Sequence, residues 1–158
     1  MFVEKIERIS IAVKDLDKSI QFFSDLLGIH FDETFVVEQS GAREAISSFG
    51  LELVEGKPGT WVHDFIQKKG EGVFSLMIKV SDMEKAKKVF KDKGVRLTGE
   101  INSITEPGGP GLREVSYHPK DTHGVMIFLT EYTEKHPATI AALERREDTV
   151  FSSVRDKK

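Results

Sequence analysis

The sequence predicts an α+β fold: two tandem βαβββ modules forming a cupped mixed β-sheet with flanking helices, plus a C-terminal helical tail. Three observations carry this prediction. Residues 9–28 (ISIAVKDLDKSIQFFSDLLG) and 76–94 (LMIKVSDMEKAKKVFKDKG) repeat one strand–turn–helix pattern. At an offset of 67, Ile11 matches Ile78, Val13 matches Val80, Asp15 matches Asp82 and Phe23 matches Phe90; after one deletion Gly28 matches Gly94. After each copy, short apolar stretches separated by Gly, Pro and Ser read as further strands. The length of 158 residues suits one domain or two small half-domains sharing an interface. The expected divisions are a first module over 1–56, a connecting loop and helix over 57–70, a second module over 71–132 and a helical extension over 133–158.

In the first module, residues 5–13 alternate, which places Ile9, Ile11 and Val13 on the face that packs against the following helix. Arg8 and Ser10 then lie on the opposite face. Asp15 is positioned to cap that helix, and Ile20, Phe23, Leu26 and Leu27 give it an apolar stripe that ends at Gly28. Strands are expected over 29–36, 43–48 and 50–54. Thr60 caps a connecting helix that stops at Gly70, with Trp61 and Phe65 expected in the core.

The second module follows the same plan. Phe74, Leu76, Ile78 and Val80 face its helix, so Ser75, Met77 and Lys79 face away. Met83, Ala86, Val89 and Phe90 form the buried stripe of the helix over 82–93, and strands follow near 95–100, 112–118 and 124–130. Lys85, Lys87, Lys88, Lys91 and Lys93 read as a solvated helix face. The loop EPGGPG reads as a flap or a plain tight turn; it leads into a strand, so it is no phosphate-binding fingerprint. Residues 137–146 favour a helix with Pro137 in its first turn. Ile140, Leu143, Val150 and Phe151 suggest that the tail docks, with a partner subunit as one option.

A net charge of −3 gives no strong attraction to nucleic acid or to a membrane surface, and neither is expected as a partner. The absence of cysteine removes disulfides, thiolate nucleophiles and Cys-ligated metals. No signal peptide or long apolar run is visible, so a cytoplasmic location is the expectation.

The repeat also lines up candidate site positions. Arg8 is equivalent to Ser75, and aligning LELV (51–54) with IFLT (127–130) makes Glu52 equivalent to Phe128. By strand parity all four side chains point away from the helices, and pairing of the modules into a cup is expected to bring them together.

The segments IAVKDLDKSI, FIQKKGEGV, KGVRL and HPKDTHGVMI, taken in order, resemble the vicinal oxygen chelate superfamily. That superfamily includes glyoxalases, ring-cleaving dioxygenases, antibiotic-resistance proteins and methylmalonyl-CoA epimerases; the likeness is strongest to the epimerases and covers nearly residues 4–131. It implies a homodimer and a divalent metal held by four ligands, one from each of the positions of Arg8, Glu52, Ser75 and Phe128. Only Glu52 is a typical ligand. A guanidinium has no lone pair to give, a phenyl ring offers nothing to a hard cation, and Ser is a weak neutral ligand. No metal and no other cofactor is therefore expected.

Arg8 then has two readings: an ion pair with Glu52 that fills the vacated space, or a cation for a carboxylate or enolate oxygen. The expected ligand is a small carboxylate or an acyl thioester, held by Arg8, Ser10, Glu52, Ser75, Met77, Phe128, His118 and Lys120. Arg8 and Glu52 are the candidate catalytic pair, although the HPK segment carrying His118 and Lys120 suits a turn equally well. His123 stands where epimerases often carry Gly and reads as a loop residue. Gln39 or Glu38 takes the place of an acidic residue of the epimerases, and Glu44 and Glu114, on the third strands, can face either way.

Three functions stay open. One is a metal-independent lyase- or isomerase-like enzyme carrying out proton transfer, and another is a binding protein without turnover. The last is a metalloenzyme with atypical ligands such as Glu52 with His118 or His123.

Overall fold

The computed structural model describes residues 1–31, 34–37, 41–103 and 112–132. Its elements are β1 (Val3–Ala12), α1 (Leu16–Leu27), β2 (Phe35–Val37), β3 (Ala42–Ile46), β4 (Leu51–Gly56), α2 (Trp61–Lys69), β5 (Gly72–Val80), α3 (Met83–Asp92), β6 (Leu97–Ser103), β7 (Leu112–Tyr117) and β8 (Met126–Tyr132). The helical extension, Gln39, Glu38 and the EPGGPG loop lie outside the described residues. Among those described, no helix is long and apolar enough to cross a membrane.

The repeated helices start as their sequences dictate. Asp15 and Asp82 are both extended and accept the backbone N–H three residues on, from Lys18 and Lys85. Thr60 does the same for His63 at the start of α2. Gly28 ends α1 in the left-handed conformation at φ 65°, and its N–H donates to the Ser24 carbonyl.

The chain forms two compact units. The described residues of one fall within Met1–Ser10 and Val73–Tyr132, and those of the other fall within Ile11–Gly72. In the first, the strands lie in the order β1-β5-β8-β7-β6. β5 pairs parallel with β8, whereas β7 pairs antiparallel with both β8 and β6, so the sheet is mixed. Its helix-side core joins Val80, Met83, Ala86, Val115, Tyr117 and Leu129, with Ile78 and Phe90 packed against them. The two-residue period of a strand therefore turns Ser75, Met77, Phe128 and Thr130 to the other face.

In the second unit β3 pairs antiparallel with β2 and β4. Here Val13, Leu16, Phe31, Ala45 and Leu53 form the core, with Ile11, Ile20 and Phe23 against it. Five expectations are corrected. Ile9 is exposed, because this helix-side core begins only at Ile11. Leu26, 62% exposed, and Leu27 lie outside the core, which draws on the first two turns of α1. Trp61 is exposed as well, and α2 buries Val62 and Ile66 instead. The strand expected over 29–36 reduces to β2 and a single bridge from Phe31 to Ser47. Val89 on α3 is also more exposed than its place in the apolar stripe suggested.

Candidate functional site

β1 holds three buried polar side chains: Glu7, Arg8 and Ser10. Arg8 is only 5% exposed, an unusual position for a group that never loses its charge. Its Nη2 donates to Met77 Sδ at 2.8 Å and lies 3.9 Å from Glu114 Oε1. A thioether is a weak acceptor, so the Met77 contact positions the guanidinium more than it satisfies it.

The register of β5, β8 and β7 assembles the rest of this face. Met77 lies opposite Phe128, and Phe128 opposite Ser116. One rung on, Lys79 lies opposite Thr130, and Thr130 opposite Glu114. Ser75, nearly fully buried, lies opposite Met126. Arg8, Met77 and Glu114 are thus brought together, with Phe128 on the rung of Met77. Hairpin register settles the direction of Glu114, which points away from α3; sequence left it open because the loop before β7 hides the count.

A second polar cluster borders the first, and its Glu7–Tyr132 contact was not foreseen. Tyr132 Oη donates to Glu7 Oε2 at 2.7 Å, and Lys5 Nζ lies 2.9 Å from the same oxygen. Burial pushes the Glu7 carboxyl up. The hydrogen bonds from Lys5 and Tyr132, with the charges of Lys5 and Arg8, outweigh it, so the carboxyl lies below its ordinary value. Burial, then the Glu7 carboxylate, raises the Tyr132 hydroxyl. Lys79 sits 4.5 Å from the centre of the Tyr132 ring and pairs with Glu4 at 2.9 Å.

Glu52 belongs to the second unit. It is 7% exposed and lies opposite Ile46, on the face of β4 turned away from Leu51 and Leu53, which pack with Leu16. Glu44 shares that face and lies opposite Val54. Since Val54 and Thr130 are equivalent in the repeat, Glu44 and Glu114 occupy matching ladder positions in their modules.

His118 caps the 3-10 turn Pro119–Asp121: its Nδ1 accepts the Lys120 N–H at 3.2 Å and lies 3.3 Å from Arg96 Nη2. Lys120 itself is exposed. His123 is exposed at φ 56°, a backbone state that glycine adopts without strain. That conformation accounts for the Gly expected there from the resemblance.

A mixed sheet with a helix packed on one face and buried polar side chains on the other places the chain in the α+β class. A sequence model of the glyoxalase/bleomycin resistance protein/dioxygenase superfamily matches residues 7–117, and the chain belongs to that superfamily. It is similar to human mitochondrial methylmalonyl-CoA epimerase, 28% identical over 133 residues that span 80% of this chain and 73% of the human protein. An uncharacterized Bacillus subtilis protein, YqjC, is 26% identical across 82% of this chain and 93% of its own length. Among solved structures, methylmalonyl-CoA epimerase from Mycobacterium tuberculosis is 30% identical with a TM-score of 0.70, covering 85% of this chain and 91% of that one. A variant of the Streptomyces coelicolor epimerase in complex with 2-nitronate-propionyl-CoA is 31% identical with a TM-score of 0.68, covering 84% and 99%.

The resemblance assigns a metal to the positions of Arg8, Glu52, Ser75 and Phe128, and the donor set can be tested against that assignment. In the first unit Arg8, Ser75 and Phe128 offer a guanidinium already donating to sulfur, one neutral hydroxyl and a hydrocarbon ring. Among the described residues, no three His, Asp or Glu side chains gather into a cluster able to hold a metal ion. These residues do not fit a divalent cation.

Proposed function

We propose that the chain is an epimerase-like member of its superfamily that binds a small organic anion or acyl thioester through Arg8. On this reading it supports proton transfer or isomerisation without a divalent ion. The observation that carries the reading is the buried guanidinium of Arg8, held by Met77 on the face turned away from α3. A fixed cation in a desolvated setting suits the oxygen of a carboxylate or a developing enolate, the charge a metal would otherwise meet. The acyl-CoA molecules named in the solved relatives, 2-nitronate-propionyl-CoA and methylmalonyl-CoA, support the choice of ligand class. Ser10, Ser75, Met77 and Phe128 shape the site around the cation, and Glu52 is the carboxylate nominated from sequence.

Calorimetric titration with methylmalonyl-CoA tests this. Arg8→Ala is expected to lose about tenfold or more in affinity, since a charge-assisted hydrogen bond contributes about 1.5–3 kcal/mol. Chelation with EDTA is expected to leave wild-type binding unchanged. Equal affinity in the wild type and Arg8→Ala sinks the reading, and a stoichiometric transition metal whose removal abolishes binding sinks its metal independence.

Capture without turnover is the second reading. It is favoured by the chemistry of Arg8, Ser75 and Phe128, none of which accepts a proton near neutral pH. Tight binding with no exchange of the α-proton for deuterium supports it.

A further inference from the structure

Resting on the reading above, we infer that Glu114 is the proton acceptor of this site. Three observations converge on it. Glu114 Oε1 is 3.9 Å from Arg8 Nη2, so one ligand carbonyl can meet the cation while the adjacent carbon meets the carboxylate. The ladder sets Glu114 opposite Thr130, one rung from Phe128 and Ser116, on the face turned away from α3. Its side chain is 14% exposed, intermediate between closed and open parts of that face. Arg8, Ser75 and Thr130 are closed off, whereas Phe128 and Ser116 are half-buried and Thr98 and Gly99 on β6 are exposed. Gly99 lies opposite Ser116, and a Cβ there would stand 3.0 Å from Ser116 Oγ, so glycine keeps this edge low.

Thr130 adds a second polar handle. Its Oγ1 is fully buried next to Glu114 in the ladder and has no hydrogen-bond partner among the described residues. A buried hydroxyl in that state is costly, and a ligand oxygen or a water would relieve it.

The step is a simple transfer. Glu114 takes the proton from the carbon next to a thioester carbonyl, and the C–H electron pair moves to leave negative charge on the carbonyl oxygen, where Arg8 meets it. The Glu114 carboxylic acid, whose side chain is 14% exposed, trades that proton with solvent and returns one to carbon, so no oxidant, reductant or co-reactant is consumed and in deuterium oxide the carbon gains deuterium. Sequence alone favoured Glu52, which lies on β4 of the other unit.

Deuterium exchange at the α-carbon of methylmalonyl-CoA, measured by mass spectrometry alongside calorimetric binding on the same preparations, tests the assignment. Glu114→Gln is expected to bind within about threefold of the wild type and to lose about 10²-fold or more in exchange rate. Glu114→Asp keeps the carboxylate and is expected to retain an intermediate rate, which controls for misfolding. Wild-type exchange in Glu114→Gln overturns the assignment, as does exchange lost in Glu52→Gln and kept in Glu114→Gln. A wild type that binds without exchanging overturns the assignment and leaves the binding site standing. A wild type that does neither overturns both.

Discussion

Arg8 on β1 and Met77 on β5 are joined by a hydrogen bond of 2.8 Å from guanidinium to thioether. Both residues are buried, and the bond is one of the contacts that place the cation of the candidate site. Met77→Leu keeps the volume and removes the acceptor. We expect a loss of about 1 kcal/mol in stability by urea denaturation, from one net hydrogen bond in a well-packed setting. A variant as stable as the wild type would show that the sulfur contributes nothing beyond its bulk.

Tyr132→Phe removes the hydroxyl that holds Glu7. A loss of about 1–3 kcal/mol is expected, since a buried carboxylate is left short of a donor. The Glu7 carboxyl lies below its ordinary 4.5 in the folded protein, so it binds fewer protons than in the unfolded chain at mildly acidic pH. Its contribution is full above that ordinary value and is lost as pH falls through the lower folded value. Denaturation midpoints followed downward from pH 6 should therefore fall more steeply for the wild type than for Tyr132→Phe.

Arg96 grips Asp121 through Nε at 2.7 Å and Nη2 at 2.9 Å, and adds its own backbone N–H at 3.1 Å. These hydrogen bonds lower the Asp121 carboxyl from 3.8 to about 2. NMR titration of its carboxyl carbon is expected to show a midpoint near that value, returning toward the ordinary one in Arg96→Ala. The pair supports the fold above the ordinary value, and its contribution drains away as pH falls toward about 2.

Gly56 closes β4 against the first turn of α2. A Cβ there would stand 2.6 Å from the His63 backbone nitrogen and 2.7 Å from Val62 Cβ, and would also collide with the Thr60 hydroxyl. That hydroxyl accepts the His63 N–H as the α2 cap. Gly56→Ala is expected to cost about 1–3 kcal/mol by overpacking, read as a lower thermal midpoint.

His123 occupies a left-handed backbone state at φ 56° with its side chain exposed. His123→Gly relieves that conformation, and a gain of about 0.5–1 kcal/mol in stability is expected from urea denaturation. A loss of similar size would show that the imidazole holds the turn.

Much of the scaffold was legible because its signals are local. Asp15, Asp82 and Thr60 cap helices through side-chain contacts only three residues away, and the repeat pairs α1 with α3 without any tertiary knowledge. The alternation that turned Ser75 and Met77 away from α3 is equally local. Leu26, Leu27, Trp61 and Ile9 were misjudged because an apolar stripe says what can be buried; whether a neighbour exists to bury it depends on distant chain.

By itself, the sequence determined the α+β repeat and the capped helices, which follow from residue type and short-range spacing; that Arg8 stands at a metal-ligand position is what the family resemblance implies. Only the tertiary structure decided that Arg8 meets Met77 and Glu114, and that Tyr132 holds Glu7 from 125 residues away. Those contacts depend on strand register across β1, β5, β8 and β7, where a slip of one residue turns every side chain to the other face.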